Sequence, residues 1–255
     1  MGGSLFISYF LATSDFSAEV LGTAFDLEES KVIISGYPRN YEPLISNSLK
    51  FIPEHEKKQF ERIEEFKNNG YAIIGYFPTF RDKHETLIFG SDDLKELESF
   101  FDFCEKLNIK VVSKFHFAGN TDNFDHIKSH KAFMNLSSES DVYTFLNQID
   151  VLITEYSSIY YDYLLWERPI IFFPYDLEYY RDHDRGLLFN YDEYTPGPKV
   201  YSLIELQKLL SSGLSEFQIV YRDKYATEAK KICNKVFGMP KTMMIEHLIN
   251  QIKKL

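Results

Sequence analysis

Apolar residues occur along this chain in short runs separated by charged stretches with helical spacing, and the two alternate from the N-terminus to about residue 173. FISYFLA (6–12) predicts a short strand. Thr13-Ser14-Asp15 followed by FSAEVLGTAF predicts a capped helix, because a Ser or Asp side chain can accept from the first free amides. KVIISG (31–36) predicts a second strand, after which Gly36-Tyr37-Pro38-Arg39-Asn40 breaks regular structure and marks a candidate domain boundary. In 54–69 Phe60, Ile63 and Phe66 recur at three-residue spacing on a charged helix ended by Asn69-Gly70. YAIIGYF (71–77) is continuously apolar and fits a strand buried on both faces.

The alternation continues with helix 93–107, strand 110–115, a strand-like 131–136, helix 142–149, strand VLIT (151–154), helix 159–167 and strand PIIFF (169–173). Strands that alternate with helices at this spacing pair in parallel, since each crossover needs a helix to return the chain. The expected fold is α/β: a Rossmann-like parallel sheet with helices on both faces. Residues 174–200 read as a long polar-aromatic loop, and 202–210, about 215–237 and 242–255 as helices. In the last of these Met243, Leu248, Ile249 and Ile252 form an apolar stripe expected to pack into a core.

Composition narrows the classes. At 44% hydrophobic and 16% aromatic residues the chain can fill a large interior, which excludes disorder. A formal charge of −10 removes any global basis for nucleic-acid binding, so an anionic ligand must be met locally. Cys104 and Cys233 show neither CxxC nor metal spacing and read as packed thiols in a reducing, cytoplasmic compartment. There is no run of 18 apolar residues to span a membrane. His116, His126 and His130, with Asp122 and Asp125, lack the spacing of a metal site, and none is expected.

In open α/β sheets ligands bind beyond the carboxyl ends of the strands, so the loops after 71–77, 110–115, 151–154 and 169–173 should converge. They carry Pro78-Thr79-Phe80-Arg81-Asp82, Lys114-Phe115-His116, Glu155-Tyr156-Ser157-Ser158, and Pro174-Tyr175-Asp176 followed by Arg181 and Arg185-Gly186. Cations and a pair of hydroxyls at a helix start suit a diphosphate: Arg81 can donate bidentately, and Ser157 and Ser158 donate without bulk. Neither GxxxxGK[ST] nor GxGxxG occurs, which argues against a P-loop or a standard dinucleotide site. Each residue also has a structural reading. The serines can cap the helix, Arg81 can pair with Asp82 or Glu85, and His116 can be a core histidine. Asp162 can orient a serine or stabilise the helix start.

The run ITEYSSIYYDYLLWERPIIFFPYDLEYYRDHDRGLLFNYDEYTPGP, with ATSDFSAEVLGTAF, ISGYPRN, GYFPTFRD and SKFH in the same order, closely resembles the CDP-glycerol glycerophosphotransferase family. These enzymes build teichoic acids and related capsule polymers. The resemblance implies a GT-B transferase with three parts here: 1–40 as the tail of an N-terminal acceptor domain, 41–240 as the Rossmann-like donor domain, and 241–255 as a C-terminal helix. It implies transfer of a polyol phosphate, glycerol phosphate first, from CDP-glycerol or CDP-ribitol to a hydroxyl of a polyol-phosphate or glycan polymer, without a cofactor or metal. It further implies a cytoplasmic position at the inner face of the cell membrane, any membrane contact lying in a region outside this chain. Arg81, Lys114, His116, Ser157, Ser158 and Arg185 would face the donor phosphates, supported by Thr79, Glu155 and Asp162.

This sequence departs from the family at Phe117, where a proline is usual, and at Glu155, where an aspartate is usual. The family's N-terminal His-Gly-Thr motif, taken to hold the catalytic base, does not occur, and the first histidine is His55. The base is therefore expected in an absent N-terminal half, and the chain to be a piece of a longer protein, inactive alone. Two other readings stay open: a GT-B glycosyltransferase using a UDP- or GDP-sugar, and a non-catalytic donor-binding or scaffold fragment.

Overall fold

A computed structural model of the chain describes residues 8–40, 52–79, 81, 87–115 and 126–254. It divides into two compact units, 1–52 together with 230–255, and 53–229. The boundaries expected at 40 and 240 thus differ from those observed, and the last helix groups with the N-terminal segment.

In the first unit, β1 (Phe10–Ala12) and β2 (Val32–Ile34) pair in parallel through the crossover helix α1 (Asp15–Phe25). Ser14 caps α1 in a reciprocal box with Ser17, as its sequence position predicts. Thr13 and Ser14 also donate their hydroxyls to the carbonyls of Val236 and Lys235, and the Gly238 amide donates to the Thr13 carbonyl. Carbonyls at the end of a long helix are thereby satisfied by the residues that start α1.

The second unit is built on α2 (Glu54–Asn68), β3 (Ala72–Tyr76), α3 (Leu94–Lys106), β4 (Ile109–Ser113), β5 (Phe133–Asn135), β6 (Val151–Thr154), α4 (Ile159–Leu164) and β7 (Ile170–Phe172). It continues with α5 (Leu177–His183), α6 (Tyr191–Tyr194), α7 (Leu203–Leu210) and α8 (Leu214–Val236), whose residues from Lys230 on fall in the first unit; α9 (Met244–Ile252) follows there. The strands form one parallel sheet in the order β5-β4-β3-β6-β7. β4 and β6 are buried along their whole length, as is β3 beyond its first residue, which is why they read as unbroken apolar runs. Phe100, Phe101, Leu97 and Cys104 of α3 pack on one side of this sheet together with Leu203, Leu206 and Leu210 of α7.

Four expectations need correction. Residues 142–148 form a 3₁₀ helix rather than an α-helix. Its start is fixed by Glu56, which accepts from the Asp141 amide and the Thr144 hydroxyl, and Arg168 binds the carbonyls of Asn147 and Ile149 at its end. Clamped at both ends, seven residues span the gap with the longer 3₁₀ rise. The helix expected over 159–167 closes at Leu164, because i to i−3 bonds tighten the last turn and Glu167 turns left-handed before Arg168-Pro169. The stretch 174–200 contains α5 and α6, the latter capped by the Asn190 side chain. In α9 Leu248 is buried as expected, and so is Met244, but Met243, Ile249 and Ile252 face solvent.

Pro196-Gly197-Pro198 runs beside β7: the Phe172 amide donates to Pro198 and the Val200 amide to Phe172. A Cβ on Gly197 would come within 2.4 Å of the Ile170 carbonyl oxygen, whereas one on Gly22 in α1 would meet nothing within 4 Å. Gly197→Ala is therefore expected to destabilise the second unit by about 1–3 kcal/mol through overpacking against backbone. Gly22→Ala should instead stabilise the first by about 0.5–1 kcal/mol. Urea unfolding followed by Trp166 fluorescence for the second unit, and by far-ultraviolet circular dichroism for the first, checks both signs.

Candidate functional site

The order of the strands selects the place. From β3 the chain builds outward through β4 to β5, then returns to the other side of β3 to lay down β6 and β7. Connections therefore leave β3 and β6 in opposite directions, and a crevice opens at their carboxyl ends. The described residues there are Phe77, Pro78, Thr79 and Arg81 after β3, and Glu155 to Ser158 after β6.

Glu155, one residue past β6, has no exposed surface. Its carboxylate accepts from the Tyr76 hydroxyl at 2.7 Å, the Thr79 amide at 3.2 Å and the Arg81 guanidinium at 2.7 Å. Arg81 in turn donates to the Thr79 carbonyl and, through Nε and Nη2, bidentately to Asp176 at 3.0 and 2.8 Å. Asp176 also accepts from the Tyr156 hydroxyl at 2.8 Å, and the Tyr156 amide donates to the Thr79 hydroxyl. The rings of Tyr156, Tyr175 and Tyr180 face the guanidinium, with Tyr156 stacked on Tyr180.

Burial pushes the Glu155 carboxyl above the usual carboxylate range, against the pull of Arg81, Tyr76 and the Thr79 amide. Burial would lower the Arg81 guanidinium, but Asp176 and Glu155 outweigh it and hold its charge more firmly than in water. Burial and the Glu155 charge raise the Tyr76 hydroxyl well above its ordinary value, so it stays a neutral donor.

Of the residues expected to face phosphate, Arg81 is therefore turned elsewhere. Its side chain is 2% exposed and engages two carboxylates, neither of which is the neighbouring Asp82 or Glu85 of the alternative reading. Thr79 and Glu155 stand in the same network. Ser157 is half-buried and Ser158 exposed at the start of α4. The Ser157 hydroxyl accepts from the Ile159 amide at 3.4 Å, which leaves its own proton to be given outward, and Ser158 makes no capping bond. The capping and ligand readings of this pair are thus compatible. Asp162 is buried in α4. Lys114, past β4, gives one proton to the Ser140 carbonyl at 2.6 Å and has two more to offer. Arg185 is exposed between α5 and α6. His116 lies outside the described residues.

A cavity of about 210 Å³ opens beside Ser158, walled by Tyr156, Tyr161, Leu188, Asn190 and Tyr194 among others. The Tyr191 hydroxyl donates to the Glu155 carbonyl at 2.8 Å and fastens this wall to the end of β6. Tyr76, Tyr156, Asp176 and Tyr191 were not singled out from sequence. A signal existed for Tyr156 and Asp176, which sit in the loops after β6 and β7 with the other candidates. Among the described residues no three His, Cys, Asp or Glu gather to hold a metal, and no helix is long and apolar enough to cross a membrane.

Arg81→Met is expected to cost the second unit about 3–5 kcal/mol near neutral pH, since it strands a buried carboxylate. Trp166, the single tryptophan, reports this in urea unfolding. Without its cation Glu155 should rise further above its unfolded value of about 4.3. A carboxyl raised in the fold contributes stability below the unfolded value and loses it as pH climbs through the folded one. The deficit of Arg81→Met should therefore be smaller near pH 5 than near pH 8, and an equal deficit at both would show that Glu155 does not carry the buried charge.

The chain is similar to the teichoic acid poly(glycerol phosphate) polymerase of Bacillus spizizenii, 28% identical over 197 residues, which are 74% of this chain and 46% of that protein. It is also similar to the teichoic acid ribitol-phosphate polymerase TarL of Staphylococcus aureus, 29% identical over 227 residues, 84% of this chain and 38% of the other. Its fold matches the wall teichoic acid polymerase TagF at a TM-score of 0.67 and 23% identity, over 97% of this chain and 59% of that one. A TagF variant soaked with CDPG matches at 0.66 and 25% identity, over 97% and 58%. The chain thus spans less than two thirds of the length of each. The family described as CDP-glycerol:poly(glycerophosphate) glycerophosphotransferase matches residues 4–237. That match takes in the whole second unit, most of the first and every loop at the crevice, and the chain belongs to this family.

Proposed function

We propose that the second unit is the donor site of a transferase that moves a polyol phosphate, glycerol phosphate first, from a CDP-activated donor to a hydroxyl of a teichoic-acid-like or capsular polymer. The observation that carries this reading is the pair of hydroxyls on Ser157 and Ser158, the first accepting from the Ile159 amide with its own proton uncommitted and the second making no capping bond, at the switch point of the sheet beside an aromatic-walled cavity.

The chemistry asks for little else on the donor side. The acceptor oxygen attacks the phosphorus that bears the polyol, the bridging P–O bond breaks, and CMP leaves with the electron pair. The acceptor proton goes to a base that no described residue of this chain is assigned to be. Negative charge grows on the departing phosphate, and donors fixed in place before the reaction stabilise it. Ser157 and Ser158 are such donors. Lys114 and Arg185 add charge in a protein that is acidic overall, and His116 joins them on the family resemblance. α4 has only six residues, so its dipole adds little and the hydroxyls matter more. Tyr156, Tyr161 and Tyr194 give the organic end of the donor an apolar wall. The donor carries its own charge and needs no cofactor here. The setting is the cytoplasmic face of the cell membrane, where a nucleotide-activated donor is at hand.

Isothermal calorimetry of the chain with CDP-glycerol and CDP-ribitol tests this. Each hydroxyl given to a phosphate is worth about 1.5–3 kcal/mol, so Ser157→Ala and Ser158→Ala should each weaken binding by about tenfold or more. Absence of any CDP-dependent heat at millimolar ligand would sink the reading. In thermal melts CDP should raise the transition above that seen with UDP or GDP, because a ligand held only by the native state stabilises it by RT ln(1 + [L]/Kd). A larger rise with UDP or GDP would move the assignment to a sugar nucleotide.

A further inference from the structure

We infer that Arg81 is a positioning residue for the donor site, a three-way tie that sets the distance between the Tyr156–Ser158 turn and the 187–191 wall of the cavity without touching the donor. The inference rests on the donor-site reading above and assigns to Arg81 a different task from the one its charge suggests.

Three loops meet on this one side chain. The loop after β3 supplies Arg81 and the Thr79 carbonyl, the residue after β6 supplies Glu155, and the loop after β7 supplies Asp176 at the start of α5. Nε, Nη1 and Nη2 all donate within this set, and the side chain is shut off from solvent. A phosphate that took the place of Glu155 or Asp176 on the guanidinium would have to enter a side chain only 2% exposed and leave a carboxylate without its cation, a costly exchange. Asp176 then passes the constraint on through the Tyr156 hydroxyl, while the Tyr156 amide is held by Thr79. Tyr156 is the last residue before Ser157, and its ring stacks on Tyr180 of α5. From α5 the chain continues through Gly186, whose amide is held by the Tyr180 carbonyl, into the cavity wall. That wall is fastened at its far end by Tyr191 to the Glu155 carbonyl. Both ends of the wall are thus referred to Glu155, one through Arg81 and Asp176, the other directly.

The planar fork is what the arrangement needs. A lysine carries the same charge but cannot hold one carboxylate bidentately while donating in plane to another. Arg81→Lys should keep the unit folded while loosening the turn against the wall. Displacements of this kind cost up to about a hundredfold when a site must be held to within an ångström.

The experiment compares wild type, Arg81→Lys, Asp176→Asn and Lys110→Met by calorimetry with CDP-glycerol and by amide hydrogen exchange without ligand. Asp176→Asn is the milder change, since Asp176 is 20% exposed, and it keeps the question answerable if Arg81→Lys fails to fold. Lys110 is the control: a buried cation on β4, held by Glu105 and the Lys131 carbonyl, outside the loops at issue. The expected result is faster exchange over 156–161 and 184–194 and at least about tenfold weaker binding in Arg81→Lys and Asp176→Asn. Lys110→Met should lose stability with its affinity and its exchange over those segments unchanged. Wild-type exchange and affinity in both crevice variants would overturn the inference. So would weaker binding with unchanged exchange, which would make Arg81 a direct ligand. Failure of wild type to bind the donor would sink the donor-site reading instead, and the exchange data would still decide whether Arg81 orders the two segments.

Discussion

A carboxylate with no access to water must be surrounded by donors, and at the end of β6 that requirement decides where three loops go. Glu155 has no exposed surface, and its oxygens are met by a phenol from β3, an amide from the loop after β3 and a guanidinium from the same loop. Bringing Arg81 in creates the next demand, because a buried guanidinium has five donors to satisfy. Glu155 takes one of them, Asp176 and the Thr79 carbonyl take three more, and Asp176 brings the start of α5 with it. Each step follows from the cost of leaving a polar group unpaired where water cannot reach. The crevice rim is in this sense a consequence of one buried acid.

This changes how the cations of the chain are read. In a protein of formal charge −10, any attraction for a phosphate is local, and the strongest local cation beyond β3 is already matched by two carboxylates. What remains near the crevice are neutral hydroxyls and partly committed lysine protons. Neutral donors fixed in position suit the diphosphate proposed above, whose charge would have to be released as well as held. On the proposed donor-site reading, a permanent ion pair with the guanidinium would bind donor and departing nucleotide alike, and uniform binding of that kind does not speed a chemical step.

Much of the second unit was legible because its strands are buried on both faces and its helices are capped by side chains. AIIGY, IKVVS and VLIT can hardly be anything but central strands, and Asp93 and Ser202 mark helix starts by accepting from the amides that follow them. The 3₁₀ helix at 142–148 was not legible, since its pitch is imposed by Glu56 and Arg168, distant in sequence. The exposed side of α9 escaped for a related reason: periodicity finds a stripe but not which part of it meets a neighbour. At the crevice, topology alone anticipated that the loops after β3, β6 and β7 meet. The partners of Arg81 did not follow, because Asp82 and Glu85 stand next to it in sequence whereas Glu155 and Asp176 are 74 and 95 residues away.

Stability alone does not explain why the crevice is organised by ions. Apolar residues of similar volume could fill the same space with equal or greater stability, since they spare the cost of drying charges. Apolar contact, however, has no direction, and a loop packed on it can slide or rotate by an ångström with little penalty. Hydrogen bonds to a planar guanidinium fix angle as well as distance, and the two on Asp176 fix the rotation of its loop too. Tyr156 inherits that orientation through its hydroxyl, and Ser157 and Ser158 are the next residues along the chain. A hydroxyl can act on a developing charge only if it stands where the charge will appear. Rigid polar anchoring one residue upstream is a direct way to put it there.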